Sequence, residues 1–197
     1  MSINLLGRKR VSPQESRSAA VTAARELLMD EGAAAVTLQA VARKVGRTHA
    51  NILHHFGSAA GLQRALAEEI ARTVSAAIES AIEQRRAGVA TERDVIDAMF
   101  EAFRREGAGE LIGWIALTRQ REALEPVIAT IERIIRIMRV AGDTRPVDRM
   151  TLGLTLLAIG DSLAGEEVAR ACNLPREAVR EVAATQIEAL AGERLRD

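Results

Sequence analysis

The chain has 197 residues, 48% hydrophobic and 27% charged, with a formal net charge of zero. That balance is globular and excludes disorder, and no apolar run approaches the ~18 residues of a membrane span. A lone cysteine, Cys172, excludes an intrachain disulfide framework and reads as a small buried residue. The only aromatics are Phe56, Phe100, Phe103 and Trp114, with no tyrosine. The core must then be Ala, Leu, Ile and Val, strand signals are missing, and an all-α fold is expected.

Met1 to Val11 reads as a tail. Its Arg8-Lys9-Arg10 cluster is either a basic arm that tracks phosphates or enters a minor groove, or a solvated segment. No apolar stretch of signal-peptide type follows it, so cytoplasmic residence is expected. Ser12-Pro13-Gln14-Glu15 is a helix start: serine caps, proline suits the first turn and Glu15 completes a capping box. The first helix is expected to reach Glu31 and stop at Gly32, burying Ala20, Val21, Ala24, Leu27 and Leu28. Leu38, Val41, Ala42 and Val45 repeat at helical spacing. Gly46 can take a left-handed position, and Thr48 can cap the next helix. In that helix Ile52 and Phe56 face inward, leaving His49, Asn51 and His54 on other faces. Two short helices with a glycine-containing turn make the helix-turn-helix pattern, whose second helix lies in a DNA major groove. Residues 1–62 hold eight Lys/Arg against four acids, leaving an excess of four acids on the rest. A basic head on an acidic body suits a polyanion at one end.

The segment Val21 to Ile70 resembles the N-terminal domain of TetR-type transcriptional regulators. The resemblance rests on Ala23, Ala24, Glu31-Gly32, Thr37, Val41-Ala42, Gly46, Phe56 and Leu62. Two positions depart. Leu53 stands where the family has Tyr and Ala59 where it has Lys. Those family residues touch phosphates, whereas Leu53 has no hydroxyl and Ala59 no charge.

Downstream, Ser58 can cap a long helix to about Arg86, with Leu62, Leu66, Ile70, Val74, Ala77 and Ala81 inward and Gly88 at its end. Thr91 to Asp94 restarts a helix carrying Val95, Ile96, Met99, Phe100 and Phe103. Gly107-Ala108-Gly109 reads as a break, and Leu111 to Arg121 as a short helix around Trp114. A further helix runs from Leu124 to Val140, with Pro126 in its first turn. Its Arg133, Arg136 and Arg139 read as a solvated face. After a loop from Gly142 to Arg145, Pro146 opens a helix to about Ala171 that is apolar all round, hence covered on both sides. Pro175 opens the last helix, with Val179, Val182, Ala183, Ile187 and Leu190 inward. The chain is thus expected to hold about nine helices: a three-helix DNA-binding domain over 1–57 and a larger helical domain over 58–197.

The resemblance implies a homodimer, joined by the last two helices, that binds a double-stranded DNA operator. It also implies a small-molecule effector that shifts the fourth helix, with repression the usual outcome. The DNA-facing candidates are Thr37, Gln39, Arg47, Thr48, His49, Asn51, His54 and His55, with Arg8, Lys9 and Arg10 from the tail. An asparagine can pair bidentately with adenine. Ligand-cavity candidates are Phe100, Phe103, Trp114, Leu157 and Asp161, because pockets are mainly apolar and aromatic. Asp161 needs a partner if buried; an arginine across a dimer, a ligand and solvent all remain open. No Gly-rich phosphate loop, Gly-x-Ser-x-Gly elbow or Cys-x-x-Cys pair occurs. No enzyme activity, cofactor, metal or membrane partner is expected. A second class fits the same residues: a helical adaptor or ligand-binding protein whose degenerate helix-turn-helix does not read DNA.

Overall fold

The computed structural model describes residues 12–139 and 145–192. The Arg8-Lys9-Arg10 cluster and most of the 142–145 loop lie outside them. Among the described residues there are nine α-helices and no strand. None of the helices is long and apolar enough to cross a membrane.

Helix α1 (Pro13–Glu31) starts as its sequence dictates. Ser12 Oγ accepts from the Glu15 N–H at 3.1 Å while the Glu15 carboxylate accepts from the Ser12 N–H at 2.7 Å. Gly32, at φ 86°, stops the helix. Helices α2 (Leu38–Lys44) and α3 (His49–Phe56) follow, preceded by a 3-10 turn at Ala33–Ala35 that the alanine run does not announce. Helix α4 (Ala59–Arg86) is the spine. It packs on α1 and α3 near its start and on α5 (Glu92–Glu106), α6 (Ala108–Leu117) and α7 (Glu125–Met138) further along. Helices α8 (Val147–Ala171) and α9 (Ala178–Gly192) close the body against α5 and α6.

Four boundaries and several burials differ from the sequence expectation, each for a local reason. Only Gly107 breaks the chain after α5, at φ 66°. Ala108 and Gly109 are already helical, and Gly109 is where α8 comes closest: a Cβ there would sit 2.4 Å from the Ser162 Cβ. Helix α6 ends at Leu117 rather than Arg121. The Thr118 hydroxyl donates back to the Trp114 carbonyl at 2.8 Å and Arg119 takes the left-handed φ of 58°, an ending that no glycine marks. Helix α7 ends two residues earlier than expected, at Met138. Helix α9 starts at Ala178, not Pro175, because 175–177 form a turn that sends Arg176 back to the Asp161 carboxylate at 3.6 Å.

Cys172 is exposed, not buried. Val182 points outward, while Ala183 and Ile187 are buried. Arg133 and Arg139 are not a plain solvated face. Arg133 reaches from α7 to Ser75 and Glu79 on α4, and Arg139 pairs with Asp148. Helix α8 is covered on one side only within the single chain. Leu152, Leu156 and Leu163 are exposed, and at 3.6 residues per turn they share one stripe about 40° wide.

Candidate functional site

The helix-turn-helix is built from capping and burial. Thr37 Oγ1 accepts from the Ala40 N–H at 3.1 Å, which starts α2. Leu38, Ala40, Val41 and Ala42 are buried against the core. Gly46 turns the chain at φ 66°, and the Arg47 N–H donates to the Ala42 carbonyl at 2.9 Å, closing the turn. Thr48 Oγ1 accepts from the Asn51 N–H at 3.2 Å and starts α3. Ile52 and Phe56 then enter the core one turn apart. Thr37 and Thr48 are therefore caps first, each with its hydroxyl already engaged.

The outward face of α3 follows from that burial. His49, Ala50, Leu53 and His54 are exposed, and with Gln39 of α2 and Arg47 of the turn they form a convex surface. His55 is half-buried, its ring meeting Phe56 edge-on at 6.5 Å between centroids. Asn51 is half-buried at the edge of this face, and its Oδ1 is out of solvent with no hydrogen-bond partner. The side chains best placed to meet a surface are thus two histidines flanking two apolar residues. Lys44 is drawn away: its ammonium lies 3.1 Å from Glu26 and 3.6 Å from Asp30. Glu26 foremost, with Asp30, holds that ammonium above its ordinary pKa.

Sequence reading missed two residues that hold α3 in place. Arg17 of α1 donates to the His55 carbonyl at 2.8 Å, and its guanidinium lies over the Phe56 ring at 4.7 Å. A cation there meets the negative end of the helix dipole and a ring face together. The i, i+4 pattern of α1 displays only Arg17's exposure, because its partner is 38 residues away. The second is Gly61, in the first turn of α4. A Cβ there would fall 2.0 Å from the Phe56 carbonyl oxygen, so α3 and α4 meet backbone to backbone.

The body holds a partly open apolar cavity of about 90 Å³ between α4, α5, α6, α7 and the start of α8. Of the five candidates named from sequence, Phe103 lies on its wall; Phe100, Trp114, Leu157 and Asp161 do not. Phe100 is core, with Arg180 facing its ring at 6.0 Å. Trp114 and Leu157 are half-buried against that core. Asp161 is buried and pairs with Arg176 of its own chain, in a space kept open by Gly165. Helical periodicity marks these residues as apolar or odd but not which face of the bundle stays unfilled. Ile78, Met99, Ile134 and Thr151 line the cavity instead.

The cavity wall and the N-terminal three helices share α6 and its entry corner. Glu110, beside the wall residue Leu111, accepts from the buried Ala33 N–H at 2.7 Å through Oε1. Glu106, at the end of α5, takes two contacts from Arg25 of α1 at 2.8 and 2.7 Å. Replacing Glu110 by alanine strands the Ala33 N–H and should cost about 1–3 kcal/mol of stability. Glu110→Gln keeps an acceptor and should cost less than half as much. Equal denaturation midpoints for the two variants would remove this bond from the linkage.

An exposed recognition-helix face on a helix-turn-helix, carried by a helical body with a cavity, defines a DNA-binding regulator. The family model described as bacterial regulatory proteins, tetR family, matches residues 20–66. Residues 20–66 thus form a DNA-binding domain of the tetR type. A solved structure described as a protein with unknown function from Rhodococcus sp. RHA1 is 22% identical, with a TM-score of 0.61. The alignment covers 96% of this chain and 100% of that one. At that identity the likeness speaks for the fold alone. No curated protein matches the chain.

Proposed function

We propose that the protein is a ligand-released repressor that binds a near-palindromic operator as a homodimer. In this reading residues 1–57 contact DNA, and residues 58–197 dimerise and hold the effector. The observation that carries it is the outward face of α3, where His49, Ala50, Leu53 and His54 are exposed, backed by α1 and α4. His49 and His54 can donate to base acceptors or phosphates. Ala50 and Leu53 between them suit the methyl groups of thymine, the apolar feature of the major groove. The exposed leucine stripe of α8 supports dimerisation, since monomers seldom leave such patches uncovered. The Glu110 and Arg25–Glu106 contacts support a route from cavity to DNA-binding helices.

The test is a gel shift and footprint on DNA next to the protein's own gene. A dyad with half-site centres ~34 Å apart, or a multiple of it, is the expected footprint. On a randomised operator library, Leu53→Ala and His54→Ala should relax base preference by about 1–3 kcal/mol at the positions they meet. Asn51→Ala should change it less, because its carboxamide oxygen is turned away from solvent. A protected region without any dyad, or no protection at all, favours the adaptor reading, to which Leu53 and Ala59 also lend themselves.

A further inference from the structure

The walls of the cavity restrict what can enter it. Along α4 they run from Ala67 to Ile82, which at 1.5 Å per residue is about 22 Å. Wall residues spread over that length make the cavity longer along α4 than a round pocket of about 90 Å³ would be. Among the described residues Phe103 is its single aromatic wall residue, so no pair of rings there can sandwich a planar molecule. Among the described residues Glu92 is its single charged wall residue, and that carboxylate is already met by Arg85 at 2.9 Å and Arg145 at 3.4 Å. An ionic ligand would lose its hydration with no free counter-charge to replace it.

One polar atom in the wall is unaccounted for. Thr151 is 8% exposed, and its Oγ1 has no hydrogen-bond partner. A buried hydroxyl left unpaired is costly and rare, and this one belongs to a residue of the cavity wall. We propose that the cavity binds an elongated, uncharged ligand, a hydrocarbon chain with one hydroxyl or carbonyl oxygen, and that Thr151 holds that oxygen. A carbonyl accepts the threonine O–H, while a ligand hydroxyl donates to Oγ1. The proposal rests on the reading of the body as an effector-binding domain, but binding and DNA release are read separately.

The test uses the full-length protein and the uncharged, rod-shaped hydrocarbon fluorophore diphenylhexatriene, which has no oxygen for Thr151 to hold. The fluorophore should bind, and n-decanol should displace it, whereas decanoate and decyltrimethylammonium should do so at least tenfold less well. Thr151→Val keeps the shape and removes the hydroxyl. It should weaken n-decanol about three- to tenfold, as one lost hydrogen bond does, and leave the fluorophore unaffected. Ala71→Phe, which fills the cavity from α4, should abolish both without lowering the melting temperature. Equal displacement by the charged chains, full n-decanol affinity in Thr151→Val, or unchanged binding in a folded Ala71→Phe protein would each overturn the proposal. Binding of n-decanol with no loss of operator affinity supports the site and removes ligand release from the proposed function.

Discussion

Leu156→Glu is expected to yield a folded monomer that has lost tight operator binding. Leu156 is 60% exposed in the single chain, and its neighbours on the α8 stripe, Leu152 and Leu163, are 62% and 52% exposed. A charge there touches no core residue, so the stability of an isolated chain should change by no more than about 0.5 kcal/mol. Within a dimer the same position is covered, and an unpaired carboxylate in an apolar interface is strongly unfavourable. Sedimentation at micromolar concentration should therefore move from dimer to monomer. Operator affinity should fall by about 10²–10⁴-fold, since two linked recognition helices act at high effective concentration and one alone does not. Ile187, buried at 3%, is the contrast. Ile187→Ala opens a core cavity and should cost about 2–5 kcal/mol whatever the state of association. A Leu156→Glu protein that still sediments as a dimer would exclude this face of α8 from the interface.

The second large effect is expected from a single methyl group. Gly61→Ala would put a Cβ 2.0 Å from the Phe56 carbonyl oxygen and 3.1 Å from its carbonyl carbon. Both are backbone atoms, so no side-chain rotation relieves the clash. Either α4 unwinds its first turn or the end of α3 moves away, taking Phe56 out of the core and off Arg17. The cost should be about 1–3 kcal/mol, as for overpacking in general. Specific DNA binding should drop toward the nonspecific level, roughly 10³-fold or more. The dimer should remain, because its proposed face is on α8. A Gly61→Ala protein with unaltered melting and unaltered operator affinity would show that α3 and α4 are not held so closely.

The two variants mark where sequence reasoning succeeds and where it stops. Ser12 with Glu15, Thr48 and Thr91 with Asp94 announce helix starts because capping is a contact within three residues. Gly46 and Gly107 announce turns because a positive φ is a property of one residue. The end of α6 escaped notice because a hydroxyl back-bond and a left-handed arginine substitute for glycine. The start of α9 escaped it because Arg176 is committed to Asp161 on the preceding helix.

What the sequence by itself determined is the all-α fold, the helix-turn-helix and the TetR-type head, since these rest on periodicity, caps and one-residue turns. Only the tertiary structure decided which atoms face outward or into a void. It set Asn51 half-buried and Leu53 exposed on α3, bound Lys44 to Glu26 and Asp30, and pinned α3 with Arg17. It left a cavity beside Thr151 rather than around Trp114. Periodicity sorts residues into apolar and polar faces, but every apolar face of a helical bundle looks alike in sequence. Whether such a face packs tightly, lines a cavity or stays open depends on the distance to the next helix, which partners far along the chain determine.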